Sequence, residues 1–486
     1  MNHYISKTDF VRYLECPLYA WLWKNRPELR EGHQNSRIAD QGYEVEQIAH
    51  GLFEAGKEVQ GNYEEAERNT KELIKTGVNV LYQATALADH YLARADILKR
   101  DDEGKWHLYE VKSSTKKKPE HVADLFFQLY AFTKAGLELA SINLVRVNNE
   151  YVYNADKGLE VDQFLKTEDL TDEIREKASD FEPQIEEAFK LLTSESEPIV
   201  KTLKKSFKYE LPAKFEEYYR RGIPEYSIYD ISGIRKGNLE KLSDMGIKMI
   251  ADIPDGFFSS DPQNLQAELT KQKTEHKDIP MIKAELGMLE YPLYFLDYET
   301  INPAIPLFDQ TRPYQQIPFQ YSLHVIDEVG AEPRHMDFLH TEKTNPIPPL
   351  LGALRGHIGG TGTVLVWNET FEKGCNTAMG ESCPEHAGFM ADVNGRVYDL
   401  MKIFKDKYQD YRFKGSASIK NVLPILAPEL SYKSLEIQHG GMAMDGIIDL
   451  IEDKAENRED LIEDLKTYCG QDTFAMVRIF DVLINL

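Results

Sequence analysis

The sequence predicts an α/β protein of three successive segments, and three observations carry that reading. Strand-like stretches such as "HYLARADILKR", "SINLVRV" and "GTVLVWN" recur along the chain. Between them lie helical stretches such as "PEHVADLFFQLYAFTKAG" and "DLKTYCGQDTFAMVRIFDVL". A chain of 486 residues is too long for one ordinary core, and its length carries a prior of about three domains.

The first segment, residues 1–200, opens with helices in "DFVRYLECPLYAWLWKN" and "YEVEQIAHGLFEAG". "HYLARADILKR" and "WHLYEVKS" follow as two strands joined by the turn "DDEG". A helix over "PEHVADLFFQLYAFTKAG", the strand "SINLVRV" and an acidic helical region near 170–195 complete it. Residues 201–280 form a charged helical linker containing "SGIRKGNLEKLSDMGIKMIADIP". The last segment, 281–486, begins at the strand "YPLYFLDYET" and ends in the long C-terminal helix.

Composition narrows the class. The 42% of hydrophobic residues suffices for packed interiors, and no apolar run approaches the roughly 20 residues a membrane span needs. "MNHYISKTDF" lacks the apolar centre of a signal peptide. Cys16, Cys375, Cys383 and Cys469 form no close pair, which argues against a disulfide scaffold or a zinc ribbon. A soluble cytoplasmic protein is expected. The formal charge of −24 opposes non-specific coating of nucleic acid. Yet Lys112, Lys116, Lys117 and Lys118 cluster, as do Lys201, Lys204, Lys205 and Lys208, so a basic track for phosphates is open beside the plainer reading of solvated faces.

Asp96 in "ARADIL" and Glu110 and Lys112 in "YEVKSS" form the arrangement D-x13-E-x-K. Residues i and i+2 of a strand share a face, and a hairpin partner brings Asp96 beside them. Two carboxylates in that setting can hold Mg2+ or Mn2+ while the lysine orients or activates a water. Together with "ISKTDFVRYLECPLYAWLW", "GYEVEQIAHGLF" and Gln128 in "FFQLYAF", this resembles the PD-(D/E)xK nuclease superfamily, in its RecB-like and CRISPR-associated exonuclease branch. The resemblance implies a restriction-endonuclease-like domain in which Asp96 and Glu110 bind metal, Glu110 and Lys112 are catalytic, and Glu46 or His50 completes the site. It also implies that Gln128 touches nucleic acid, with Lys116 and Lys117 on the basic track; Phe132 stands where a tyrosine is usual. Relatives carry an iron–sulfur cluster on four cysteines. Only Cys16 matches, so no cluster is expected, and Cys16 is read as a small packing residue.

The linker's "SGIRKGNLEKLSDMGI" resembles a helix-hairpin-helix element. Gly233 makes its turn, and Arg235 replaces a common second glycine. The resemblance implies that Gly233 and Arg235 meet a phosphate at a helix N-terminus; a helical spacer with glycine caps is the alternative.

In "YFLDYET" an apolar strand carries Asp297 and Glu299 to one side. In "YCGQD" on a helix, Tyr468 and Asp472 are i and i+4 and share a face. "VLVWNETFE" brings Asn368 and Glu372 to a strand's end. Four acids facing one another repel unless cations neutralise them, which points to two divalent metals about 4 Å apart. This set resembles the DEDD exonucleases of the ribonuclease H-like fold. The resemblance implies that Asp297, Glu299, Glu372 and Asp472 hold Mg2+ or Mn2+, with Asp297, Glu299 and Tyr468 catalytic. Glu372 stands where aspartate is usual, and Asp399 and Lys420 match neighbouring features more weakly. The whole chain is similar to an uncharacterised bacterial family that joins a RecB-like domain to such a C-terminal unit. The expectation is a metal-dependent nuclease, an exonuclease hydrolysing phosphodiester bonds of DNA or RNA with DNA favoured, with two candidate sites. A nucleic-acid-binding scaffold with decayed sites is the alternative.

Overall fold

A computed structural model describes residues 4–31, 37–53, 55–208 and 210–486. Its contacts divide the chain into two units, Met1–Gly222 with Pro303–Tyr314, and Ile223–Asn302 with Gln315–Leu486. Among the described residues, no helix is long and apolar enough to cross a membrane.

The first unit contains the strands β1 (Ile5–Ser6), β2 (Lys57–Glu58), β3 (Val80–Ala88), β4 (Tyr91–Arg100), β5 (Trp106–Lys112), β6 (Leu139–Val147) and β7 (Leu165–Asp169). They form one sheet in the order β2-β3-β4-β5-β6-β7, with β1 beside β4. The β4–β5 hairpin expected from "DDEG" is present and antiparallel, with Gly104 in the left-handed conformation at φ 85°. β5 and β6 run parallel, a pairing that needs a crossover, and the helix Pro119–Lys134 supplies it. Along β5 the side chains alternate, so Trp106 and Leu108 enter the core that also holds Phe126 and Phe127 of that helix. Glu110 and Lys112 continue the same face at its edge. The other face packs Tyr82, Ile97 and Val111 against Val45 and Ala49 of the helix Arg37–Ala49. Within the early stretch read as helical, Glu54 lies outside the described residues.

The second unit contains β8 (Glu275–Lys277), β9 (Leu293–Ile301), β10 (Ile317–Ile326), β11 (Arg334–Leu339), β12 (Thr363–Val366), β13 (Val397–Asp399) and β14 (Tyr408–Asp410). Its main sheet has the order β11-β10-β9-β12-β13, and β8 pairs with β14. β10 is antiparallel to both neighbours, whereas β9, β12 and β13 run parallel. The helix Arg458–Ile484 packs on β9 and β10, with Phe480 and Phe295 ring centroids 5.6 Å apart.

The boundaries differ from the three segments read in the sequence. Residues 201–222 belong to the first unit, because Phe215 and Tyr219 of the helix Ala213–Tyr219 are buried in its core. The remainder of the charged linker belongs to the second unit. There Ile228, Ile231, Leu239, Leu242, Ile250 and Phe258 form a small core of their own beneath the helices Lys236–Asp244 and Asp261–Gln272.

Candidate active sites

On the N-terminal sheet, the register Ile97↔Tyr109 sets Asp96 across from Glu110. Asp96 accepts a 2.7 Å hydrogen bond from the Val111 backbone through Oδ2. Lys112 donates to Glu110 Oε1 at 2.7 Å and to Asp124 Oδ2 at 2.6 Å. Gln128 donates through Nε2 to Glu110 Oε2 at 2.6 Å and to Asp124 Oδ1 at 2.9 Å. Asp124 and Gln128 are i and i+4 on the crossover helix and so face the strand together. Lys7, first residue of the helix Lys7–Glu15, donates to Glu110 Oε1 at 2.6 Å.

Charge in this cluster is balanced from within. Burial and Glu110 push the Asp96 carboxyl well above the usual range, with Lys7 opposing. Burial also works against an ionised Asp124, yet Lys112 and Lys7 hold its carboxyl well below the usual range. Lys112, despite burial, is held protonated by Asp124 and Glu110. Of the two residues open at position 46 or 50, Glu46 faces the cluster: burial raises its carboxyl, its bond from Gln83 lowers it, and Glu110 raises it further. Gln83, across from Asp96, is held at φ 58°, a conformation rare outside glycine. His50 instead stacks on Tyr82 with centroids 3.6 Å apart.

Three residues expected to meet nucleic acid are placed differently from one another. Gln128 is wholly buried, because its helix turns that face to the sheet, and it donates to Glu110 and Asp124. Lys117 is paired with Glu173 at 2.5 Å and Glu168 at 3.5 Å, while Lys116 is exposed. Lys204 and Lys208 likewise face Glu15 and Glu120, so this stretch of the basic track is largely neutralised on the surface. Cys16 is buried, with Sγ 3.5 Å from the Tyr219 hydroxyl.

In the second unit, β9 directs Leu293, Phe295, Asp297 and Glu299 to one face by its alternation. The apolar pair meets the apolar end of the helix Arg458–Ile484. Two residues further along the strand, the same helix presents Tyr468, Cys469 and Asp472. Ligand atoms of Asp297, Glu299 and Cys469 lie within 4.8 Å of one another. Glu372, in the first turn of the helix Glu369–Ser382 after β12, is 3% exposed, and its Oε2 has no hydrogen-bond partner. The Asn368 that precedes this helix makes no side-chain cap.

These acids act on one another. Burial pushes the Asp297 carboxyl well above the usual range, and Asp472, Glu299 and Glu372 push it further. Glu299 is raised to about 8 by burial and Asp472, with Lys420 opposing. Glu372 is raised to about 8 by burial, with Asp399 adding to it. Asp472 is raised to about 6 by burial, against a 2.5 Å hydrogen bond from the Tyr432 hydroxyl and the charge of Lys420. The Tyr468 phenol is raised by burial and by Asp472, Glu299 and Asp297, so it stays protonated and able to donate. Lys420 donates to the Gln438 carbonyl at 3.0 Å and so is held outside direct pairing with the carboxylates.

The two clusters differ in fit for a divalent ion. Five of the six carboxylate oxygens of Asp96, Glu110 and Asp124 accept hydrogen bonds within the cluster, and Asp96 Oδ1 lies 3.9 Å from Lys7 Nζ. That donor set, as it stands, does not fit a metal. The C-terminal set does: hard carboxylate oxygens converge there with an unpartnered buried oxygen on Glu372.

Four residues near these clusters were not among the candidate site residues of the sequence. Asp124 carried a signal, its i, i+4 relation to Gln128. Cys469 lay beside Tyr468. Lys7 and Tyr432 gave none, since their partners lie 103 and 40 residues away in sequence. Tyr432→Phe is expected to raise the metal concentration for half-maximal stabilisation roughly 10–100-fold, the usual cost of losing the group that orients a ligand. A metal titration followed by thermal melting checks it.

Fold and sites together define an α/β protein of two units, each with a buried acidic cluster. Residues 294–418 match the family profile of a domain of unknown function, DUF2779. That stretch holds Asp297, Glu299 and Glu372 and ends before Tyr432, Tyr468 and Asp472. The uncharacterized protein MG366 homolog of Mycoplasma pneumoniae is 27% identical over 213 residues, 39% of this chain and 32% of that protein. The uncharacterized protein MG366 of Mycoplasma genitalium is 26% identical over 206 residues, 38% of this chain and 31% of that protein. The chain thus spans under a third of the length of these curated relatives. An alkaline exonuclease (LHK-Exo) from Laribacter hongkongensis is 15% identical, with 39% of this chain and 92% of that chain covered, at a TM-score of 0.22. A score that low does not define a common fold.

Proposed function

We propose that the chain is a divalent-metal-dependent nuclease, an exonuclease hydrolysing phosphodiester bonds, with its principal active site in the second unit. One observation carries this reading: four mutually repelling carboxylates, Asp297, Glu299, Glu372 and Asp472, with no direct ion pair to a lysine or arginine among the described residues and an orphaned oxygen on Glu372. Mg2+ or Mn2+ held by those carboxylates supplies charge neutralisation and an activated water. Tyr468, protonated and facing the acids, is suited to orient that water by donating its hydroxyl proton in a hydrogen bond. Tyr432 holds Asp472 in place.

DNA is the proposed substrate rather than RNA. Its support is the exposed turn at Gly233, with φ 59°, followed by Arg235 and the N-terminus of the helix Lys236–Asp244, a helix end of the kind that suits a phosphate. Asp96, Glu110 and Lys112 are proposed as a second centre. Because its charges are already balanced by Lys7 and Lys112, a binding role for the first unit is the competing reading.

End-labelled single- and double-stranded oligonucleotides, with Mn2+, Mg2+ or EDTA, test the proposal. Degradation is expected with metal and should vanish in EDTA. Undiminished cleavage in EDTA would overturn the metal-dependent reading, and retention of oligonucleotides without cleavage under any metal would favour the binding role.

A further inference from the structure

We propose that the ion seat of the second unit includes a sulfur donor, the Cys469 thiol, and so takes a borderline-soft divalent ion of the Zn2+ class in preference to Mg2+ or Mn2+. The inference rests on reading Asp297 and Glu299 as metal ligands, but it concerns which ion the seat selects and not hydrolysis.

One oxygen each of Asp297 and Glu299 and the Cys469 sulfur lie within 4.8 Å of one another. Atoms that close, from three side chains, can share one ion. Cys375, three residues after Glu372 on the same helix, is buried too, but among the described residues its sulfur does not join this group. Glu372 adds an unpartnered oxygen on a side chain only 3% exposed, close enough for its charge to act on Asp297.

The sulfur is held in place by the helix that carries it. Cys469 lies one residue after Tyr468 and three before Asp472, so the three share the helix face that packs on β9. β10 fixes that helix on either side. Gln320, paired across the sheet with Glu299, donates to the Leu465 carbonyl at 2.9 Å. Ser322, paired with Asp297, is hydrogen-bonded through its hydroxyl to that of Thr473 at 2.6 Å. Leu465 and Thr473 stand one helical turn before and one after Cys469. The residues opposite the two acids thus clamp the helix about Cys469, and the thiol is wholly buried beside them.

Sulfur changes what the seat prefers. Mg2+ and Mn2+ favour carboxylate and water oxygens, whereas thiolates favour Zn2+ and its heavier congener Cd2+. Carboxylates alone already rank Zn2+ above Mn2+, and a thiolate widens that margin. Two carboxylates and one thiolate make three protein donors, the number at which Zn2+ sites keep a fourth position open. On binding, the thiol exchanges its proton for the ion, and the proton passes to solvent.

Cd2+ titration of the full chain, followed by the ultraviolet charge-transfer absorption of a cadmium–thiolate bond, tests this. Mn2+ binding is counted in parallel by electron paramagnetic resonance of the free ion. Wild type is expected to develop the band with stoichiometric Cd2+, and Asp297→Asn only with more. Cys469→Ser should abolish the band yet still bind Mn2+ through its carboxylates, which shows that the variant is folded; Cys469→Ala serves if it is not. Cys375→Ser should keep the band. In Cys469→Ser the preference for Zn2+ over Mn2+, read by competition, should fall by at least the roughly 10–100-fold that loss of a ligand's supporting partner costs.

A chain that binds Mn2+ but shows no cadmium–thiolate band overturns the sulfur donor and leaves the carboxylate site standing. A band that survives Cys469→Ser, or that Asp297→Asn leaves untouched, belongs to another thiol and overturns it as well. Wild type alone gives a further check: excess Mn2+ should weaken the band by competing for the shared carboxylates, and a band indifferent to Mn2+ would sink the proposal. If wild type binds neither ion, the reading of Asp297 and Glu299 as ligands fails together with it.

Discussion

Asp297→Asn is expected to lower metal-dependent phosphodiester hydrolysis by roughly three orders of magnitude, the several kcal/mol of charge stabilisation that a lost metal ligand removes. The same change is expected to make the metal-free protein more stable. Asp297 is the acid on which Asp472, Glu299 and Glu372 all act, so an isosteric amide there relieves repulsion with three neighbours. A relief of about 1 kcal/mol corresponds to a rise of roughly 2–4 °C in a unit of this size. Adding Mg2+ or Mn2+ should then give the variant little further stabilisation, whereas wild type gains strongly. The opposite signs separate a metal ligand from a merely structural acid, whose loss lowers the melting point with or without metal. Melting curves of both proteins with EDTA and with Mn2+, alongside oligonucleotide hydrolysis, decide it. A variant that is less stable without metal yet keeps its metal response would remove Asp297 from the ligand set.

How far the site was legible in the sequence depended on how local each relation was. Glu110 and Lys112 are neighbours on one strand face, and Tyr468 and Asp472 are one helical turn apart, so periodicity put each pair on a common face, while their reading as site residues came from resemblance to nuclease families. Asp297 and Glu299 were legible for the same reason, because an apolar strand that ends in two acids is costly without a compensating cation. The convergence of these pairs was not legible, since it depends on how β9, β12 and two helices pack. Lys7 illustrates the limit. In "ISKTDF" it reads as an ordinary first-turn lysine, and its contact with Glu110 emerges only in the folded sheet, where β1 pairs with β4. Gln128 shows the converse. Its motif position suggested contact with nucleic acid, yet a helix crossing from β5 to β6 must turn its buried face to the sheet, and Gln128 lies on that face. The domain boundary at 222 moved for a similar reason. The charged surface of residues 201–222 hid Phe215 and Tyr219, which bind the segment to the N-terminal core.

The metal-free protein should lose stability as pH rises from about 5 to about 8.5, and the stabilisation by Mg2+ should grow over the same interval. Glu299 and Glu372 are raised to about 8 in the fold, and Asp472 to about 6. In the unfolded chain these carboxyls titrate near about 4. Between the two values the folded state holds protons that the unfolded chain has released, so rising pH favours unfolding. The penalty is absent below the unfolded values and complete once pH passes the folded ones. Each carboxyl contributes at most about 1.4 kcal/mol per pH unit within its window. A divalent ion reverses the preference, because it binds the ionised oxygens and competes with the protons. At pH 6 it must displace protons from Glu299 and Glu372, and its effect on melting should be small. At pH 8.5 the carboxylates are ionised and repelling, and the effect should be large. Glu299→Gln should flatten the metal-free pH dependence, since it removes one of the titrating groups. The N-terminal cluster contributes in the opposite sense through Asp124, whose low value adds stability that is lost only in strong acid. Melting at pH 6 and pH 8.5, with EDTA and with saturating Mg2+, gives the four values needed. Equal metal shifts at both pH values would mean that the carboxyls are already ionised at pH 6, and with it that the four acids do not repel one another as their burial implies.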